Sequence, residues 1–272
     1  MDNMKSNTGL IFEPLKIGQD FVFGSSHSIL TNFKSDIVLQ SDGDWRYLAP
    51  EGEIQHHTEM RFDTQGCVSH GTLNALELLQ RRVHGQTINY SDRFVVKGSG
   101  TDPSRGNSPQ KVADFIRHNW SVFEPEWPRE GVQTLQEYYA DLPQGLVALA
   151  KKRLGSFKFG YEFVNPGSGN LKEALKYSPI CMSVGLSGVD KDGFWYRNEG
   201  VPDGHWLTLL HIDEDGVYTI LDSYKPYIKR LRNDFESKFA YRYYLDIEQM
   251  TLMTRLISLL KDIIYKLQYG IT

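Results

Sequence analysis

At 272 residues with 40% hydrophobic content, the chain is long enough to bury a full core, as one large domain or as two lobes. A formal net charge of −4 leaves no basic surface for a polyanion and excludes a nucleic-acid partner on charge grounds. The two cysteines, Cys67 at a glycine turn and Cys181 inside an apolar run, are too few for a disulfide-stapled secreted scaffold and read as free thiols in a reducing compartment.

Met1 to Asn7 lacks the apolar stretch and small-residue cleavage site of a signal peptide, and no window approaches the ~20 apolar residues of a membrane span. The expectation is a soluble protein, cytoplasmic or otherwise intracellular. Short apolar runs at Leu10-Ile11-Phe12, Phe21-Val22-Phe23 and Ile37-Val38-Leu39 read as short strands or an extended arm. His56-His57 lies in a polar stretch without a ligand set at metal spacing and reads as a solvated loop; no metal is expected. Beyond it, a polar glycine turn leads through Gln65-Gly66-Cys67 into a segment whose Leu73, Leu76 and Leu79 recur at helical spacing. That helix stops at Arg81-Arg82-Val83-His84-Gly85, a basic last turn followed by glycine.

Asn89 to Val96 opens a short helix with Ser91 near its cap, and Ser108-Pro109 starts another over Gln110 to His118. The glycine-rich loop between them neither follows a strand nor ends in Lys-Ser or Lys-Thr, so it is not read as a phosphate loop. Leu135 to Leu154 reads as two helices broken by Pro143-Gln144-Gly145, and Asn165 to Asn170 as a turn or linker. Leu171 to Lys176 is a short helix ended by Pro179. Strands then follow at Ile180–Leu186, Trp206–Ile212, Val217–Leu221, Tyr227–Leu231 and Phe239–Leu245. Ile247 to Leu267 is an amphipathic helix expected to pack on its own protein or on a partner. Helices fill the first half and strands the second, so the fold class is α+β.

The chemistry gathers on three residues. Cys67 stands at the first turn of its helix, where unpaired N–H groups and the positive dipole end favour a thiolate. His205 heads a strand, and Asp222 ends the strand that returns after the turn at Glu214-Asp215-Gly216. That strand–turn–strand spacing favours His205 over His211 as the base, with His70, on the same helix as Cys67, held as a fallback. Cys181, in an alternating apolar strand, reads as structural.

In this order the pieces resemble the papain family of cysteine peptidases across roughly Asp44 to Tyr224. Asp44-Trp45-Arg46 is similar to the start of the mature enzymes, and Cys67 with Glu77 downstream to the nucleophile helix. Gly106-Asn107-Ser108-Pro109 is similar to the glycine wall of the cleft, and Asp222-Ser223-Tyr224 to the Asn-Ser-Trp run. The resemblance implies a helical lobe over about 60–165 and a β lobe over about 170–246, with the site between them. It also implies a peptidase domain over 44–246, flanked by an N-terminal arm or short pro-segment over 1–43 and the C-terminal helix over 247–272.

The activity implied is hydrolysis of a peptide or protein substrate without a cofactor: Cys67 as nucleophile, His205 as base and acid, Asp222 as its orienter and Gln65 as an oxyanion donor. Gly106, Asn107, Gly204 and Tyr224 would line the cleft. The sequence departs from the family in lacking its disulfide, in placing Arg61 where the family's glutamine falls, and in carrying Asp222 for asparagine and Tyr224 for tryptophan. The stretch before Cys67 is too short for the family's long propeptide. The glycine turn and helix also resemble papain-like peptidases encoded by phages, which would imply association with a virion. Two other readings remain at this point: a different thiol amidase or acyltransferase, such as a peptidoglycan amidase or transglutaminase-like enzyme, and a catalytically silent papain-like module that binds peptides or serves a structural role.

Overall fold

The computed structural model describes residues 9–16, 19–25, 37–49, 61–154 and 158–245. The expected C-terminal helix over 247–272 and the His56-His57 pair lie outside the described residues.

Cys67–His84 forms helix α1. It ends where Gly85 takes a left-handed conformation at φ 64° and returns its N–H to Arg81 O, the stop that the basic last turn and glycine foretold. Leu73, Leu76 and Leu79 are buried, and so are His70, Thr72 and Asn74 on the other faces, so α1 is a core helix and not a surface one. Helix α2 (Asp92–Gly98) is capped by Ser91, whose Oγ accepts the Phe94 N–H, and α3 (Pro109–Asn119) by Ser108, whose Oγ accepts from Lys111. Helices α4 (Leu135–Tyr138) and α5 (Gln144–Leu154) flank the break at Pro143, and α6 (Ser168–Leu175) follows the turn at Asn165.

One sheet takes all eight strands: β1 (Phe159–Phe163), β2 (Ile180–Val184), β3 (Gly188–Val189), β4 (Trp195–Tyr196), β5 (His205–Ile212), β6 (Tyr218–Leu221), β7 (Ile228–Leu231) and β8 (Ala240–Leu245). Their spatial order is β1-β8-β2-β5-β6-β7-β4-β3, antiparallel throughout except at the β4–β7 pair. The sequence reading passes over β1. Its Glu162 is buried opposite Arg242 of β8 and paired with it, which removes the polar-out alternation that marks a strand.

Helix α1 packs on β5 and β8. Helix and strand approach closely at Gly71, where a Cβ would stand 3.0 Å from Trp206 Cδ1 and 3.4 Å from Trp206 O. The Gly71 carbonyl accepts from Thr208 Oγ1 at 3.0 Å and from Cys181 Sγ at 3.1 Å, and this stitches the helix to β5 and β2. Cys67, one turn earlier, is thereby brought to the start of β5, where His205 stands.

The N-terminal arm lies on the body at two places. Phe21 to Phe23 runs beside Phe163, giving O···N bonds of 2.9 and 2.8 Å to the outer edge of β1. Gly9 to Ile11 runs beside Asn107. Among the described residues no helix is long and apolar enough to cross a membrane.

Candidate active site

The turn before α1 is built to present Cys67. Gln65 adopts φ 52°, a left-handed conformation rare outside glycine, and its N–H is caught by Asp63 Oδ1 at 2.8 Å. Gly66 precedes the helix because a Cβ there would sit 2.8 Å from Val96 Cγ2. Tyr139 OH donates to Thr64 O at 2.7 Å and fastens the turn from outside. Cys67 itself is buried.

His205 faces it from the first position of β5. Nε2 of His205 donates to Asp222 Oδ1 at 2.6 Å, and the side chains are 5% and 1% exposed. With Nε2 engaged, Nδ1 is the nitrogen that addresses the thiol. Burial pushes the imidazole pKa down, but the Asp222 charge and hydrogen bond, together with the hydrogen bond and charge of Cys67, outweigh it and raise the value to about 10. Burial likewise acts to raise Asp222, yet His205 and Lys229 together hold its carboxyl well below the usual carboxylate range.

Tyr224 covers the pair. Its ring centroid lies 5.5 Å from that of His205, its N–H donates to Asp222 Oδ1 at 3.1 Å, and its OH donates to Asp63 Oδ2 at 3.0 Å in the turn before Cys67. Tyr224 thus clasps the turn before Cys67 to His205. Gly204 directly precedes His205 and donates its N–H to Val184 O at 3.1 Å.

Gly106 and Asn107 stand where the arm crosses the site. Asn107 N–H donates to Gly9 O at 3.0 Å and Ile11 N–H to Asn107 O at 2.8 Å, a parallel pairing centred on Leu10. Gly106, at φ 83°, has no room for a side chain: a Cβ would fall 1.9 Å from Gly9 O. A Cβ on Gly9 would lie 2.9 Å from Cys67 Sγ and 3.5 Å from Gln65 Oε1. The arm therefore passes directly over the thiol, and Gln65 reaches the same point.

The competing histidines lie elsewhere. His70 is fully buried with Nε2 3.1 Å from Asp92 Oδ2, and His211 lies near Asp44, whose carboxyl its charge helps to lower. Cys181 is buried in β2, and burial pushes its thiol up to about 12, too high for a nucleophile. Among the described residues no three His, Cys, Asp or Glu side chains cluster as a metal site.

Lys229, Asp63 and Gly9 were not singled out by sequence reasoning. Lys229 lies on β7, where Ile228 is exposed and Lys229 buried, the reverse of hydrophobic-in alternation. The available signal was an aspartate in place of asparagine, a buried charge in need of a cation.

No family model and no curated protein matches the chain. Solved structures do, among them papain-like cysteine proteases. The proform of the Amb a 11 cysteine protease, a major ragweed pollen allergen, aligns with TM-score 0.54 and 15% identity, covering 77% of this chain and 68% of its own. Procathepsin L 3 of the Tenebrio molitor larval midgut aligns with TM-score 0.52 and 15% identity, covering 77% and 71%. The Carica candamarcensis cysteine protease CMS1MS2, in complex with E-64, aligns with TM-score 0.53 and 16% identity, covering 74% and 96%. The likeness is one of fold: this chain has the α+β papain-like architecture.

Proposed function

We propose that this protein is a papain-like cysteine endopeptidase that cleaves peptide bonds through a thioacyl-enzyme on Cys67. The observation that carries the reading is the contact of Cys67, at the N-terminus of α1, with a His205 whose Nε2 is fixed by Asp222 at 2.6 Å. A raised imidazole pKa favours the thiolate–imidazolium pair at neutral pH. Cys67 Sγ attacks the scissile carbonyl carbon, and the oxyanion that forms is met by the Cys67 backbone N–H and the Gln65 side chain. Loss of one such donor typically costs about 2.7–4 kcal/mol of transition-state stabilisation. The proton on Nδ1 of His205 passes to the leaving amine as the C–N bond breaks. His205 then takes a proton from water, which attacks the thioester and frees Cys67. Asp222 keeps the imidazole in one tautomer and orientation throughout.

Gly9 to Ile11 occupies the cleft at Asn107, so on this reading the arm acts as a short pro-segment that must leave before a substrate strand can take its place.

The test is reaction of the purified protein with an epoxysuccinyl inhibitor, read by intact and peptide mass spectrometry. One adduct at Cys67, absent in Cys67→Ala and much slower in His205→Ala, is expected. No adduct, or equal slow labelling of Cys67 and Cys181, would remove the peptidase reading.

A further inference from the structure

Asp222 carries a second cation on the oxygen that His205 does not use. Lys229, with its side chain 1% exposed, reaches back from β7 and places Nζ 2.8 Å from Asp222 Oδ2. The same Nζ donates to Tyr224 O at 2.6 Å and to Pro226 O at 2.8 Å. Three acceptors meet the three N–H bonds of one ammonium, and the Trp195 ring lies 4.8 Å from it. Such a site is built for a charged lysine, since a buried cation persists only where it is paired and fully hydrogen-bonded.

Resting on the reading of Cys67, His205 and Asp222 given above, we propose that Lys229 is a positioning residue of this site, which neutralises Asp222 from behind and fixes the turn that carries Tyr224. A bare carboxylate beside His205 would stabilise the imidazolium so strongly that it would release its proton to the leaving amine reluctantly. With Lys229 on the other oxygen, Asp222 keeps the directional hydrogen bond while its net field on His205 is weakened. The pair still favours the imidazolium, but less than a lone buried carboxylate would. The second effect is mechanical. Holding the carbonyls of Tyr224 and Pro226, Lys229 fixes the loop between β6 and β7, and with it the ring over His205 and the bond from Tyr224 OH to Asp63.

Among the described residues, the titratable groups facing His205 are Cys67 from α1, Asp222 and Tyr224 just after β6, Lys229 behind Asp222, and Asp63 beyond Tyr224. Asp203, on the segment entering β5, is bound to Ser183 and Arg197.

The experiment follows the His205 imidazole by nitrogen-15 NMR as a function of pH in the full chain, with inhibitor labelling of Cys67 alongside. In Lys229→Met the apparent His205 midpoint is expected to rise by about half a pH unit or more, because a nearby positive charge is gone. Lys229→Arg keeps that charge and should leave the midpoint near its original value. Lys229→Met should also raise the midpoint in an Asp222→Asn background, where a poorly folded single variant no longer limits the comparison. An unmoved midpoint in both backgrounds, with only a lower melting temperature, would make Lys229 a purely structural residue and overturn the proposal. Failure of Cys67 to label in the unmodified protein would instead overturn the reading on which the proposal rests.

Discussion

Gly71 sets the separation of α1 from the strand that begins at His205, and two opposed effects meet in Gly71→Ala. Alanine is favoured over glycine in a helix by about 1 kcal/mol. A Cβ 3.0 Å from Trp206 Cδ1 has to displace a fully buried ring that packs 5.9 Å, centroid to centroid, from Tyr241, and overpacking of this kind costs about 1–3 kcal/mol. Packing should win, because the Gly71 carbonyl is also tied to Thr208 and Cys181 and the helix has little freedom to recede. The expected outcome is a net loss of about 1 kcal/mol in denaturant unfolding, with slower inhibitor labelling of Cys67. A more stable variant with undiminished labelling would contradict this account of the helix–sheet contact. Nothing in the local sequence marks Gly71, since a glycine inside a helical pattern reads only as a weak point until the indole across from it is known.

Among the elements, the arm lends itself to the sharpest test. If Gly9 to Ile11 blocks the thiol, a chain lacking residues 1–12 should label at Cys67 about tenfold faster or more, because only the uncovered fraction of the molecules reacts. Gly9→Val should act in the same direction, since its Cβ would meet Sγ at 2.9 Å. Unchanged rates in both would mean that the arm does not obstruct the site. The elements legible in advance were those signed by local chemistry: the Gly85 stop, the Ser91 cap and the Ser108-Pro109 start. Strand β1 was illegible because its buried glutamate makes sense only beside Arg242, far along the chain. The partners of Cys67 were legible through the order of motifs. The arm's position and the buried lysine were not, for both depend on where distant backbone comes to lie.

For the molecule as a whole, the shifted groups set a pH window. His205 binds its proton more tightly folded than unfolded, so its contribution is full below about 6.5 and is lost as pH climbs toward about 10. Glu124 acts in the same sense. Burial first, then the Asp92 charge, raises its carboxyl to about 8, so its contribution falls away as pH rises from about 4.5 to that value. Asp222 opposes them, its contribution being present above about 3.9 and lost in acid. Thermal stability by calorimetry should therefore be greatest at about pH 4 to 4.5, decline gently to about 6.5 and more steeply toward pH 9, with Glu124→Gln flattening part of the decline. A melting temperature that rises from pH 6 to 9 would refute the assignment.

The place of β8 in the sheet bears on how the molecule is made. Ala240–Leu245 is the last strand described, yet it lies between β1 and β2 and hydrogen-bonds to both. It also brings Tyr243, whose OH is 3.1 Å from Thr72 Oγ1, beneath α1. During synthesis on the ribosome, Cys67, His205 and Asp222 all emerge while the place between β1 and β2 is still a gap one strand wide. Such non-local closure is slow and comes late in folding. The nascent chain thus completes the sheet beneath α1 only after β8 has left the tunnel, later than Cys67, His205 and Asp222 have emerged.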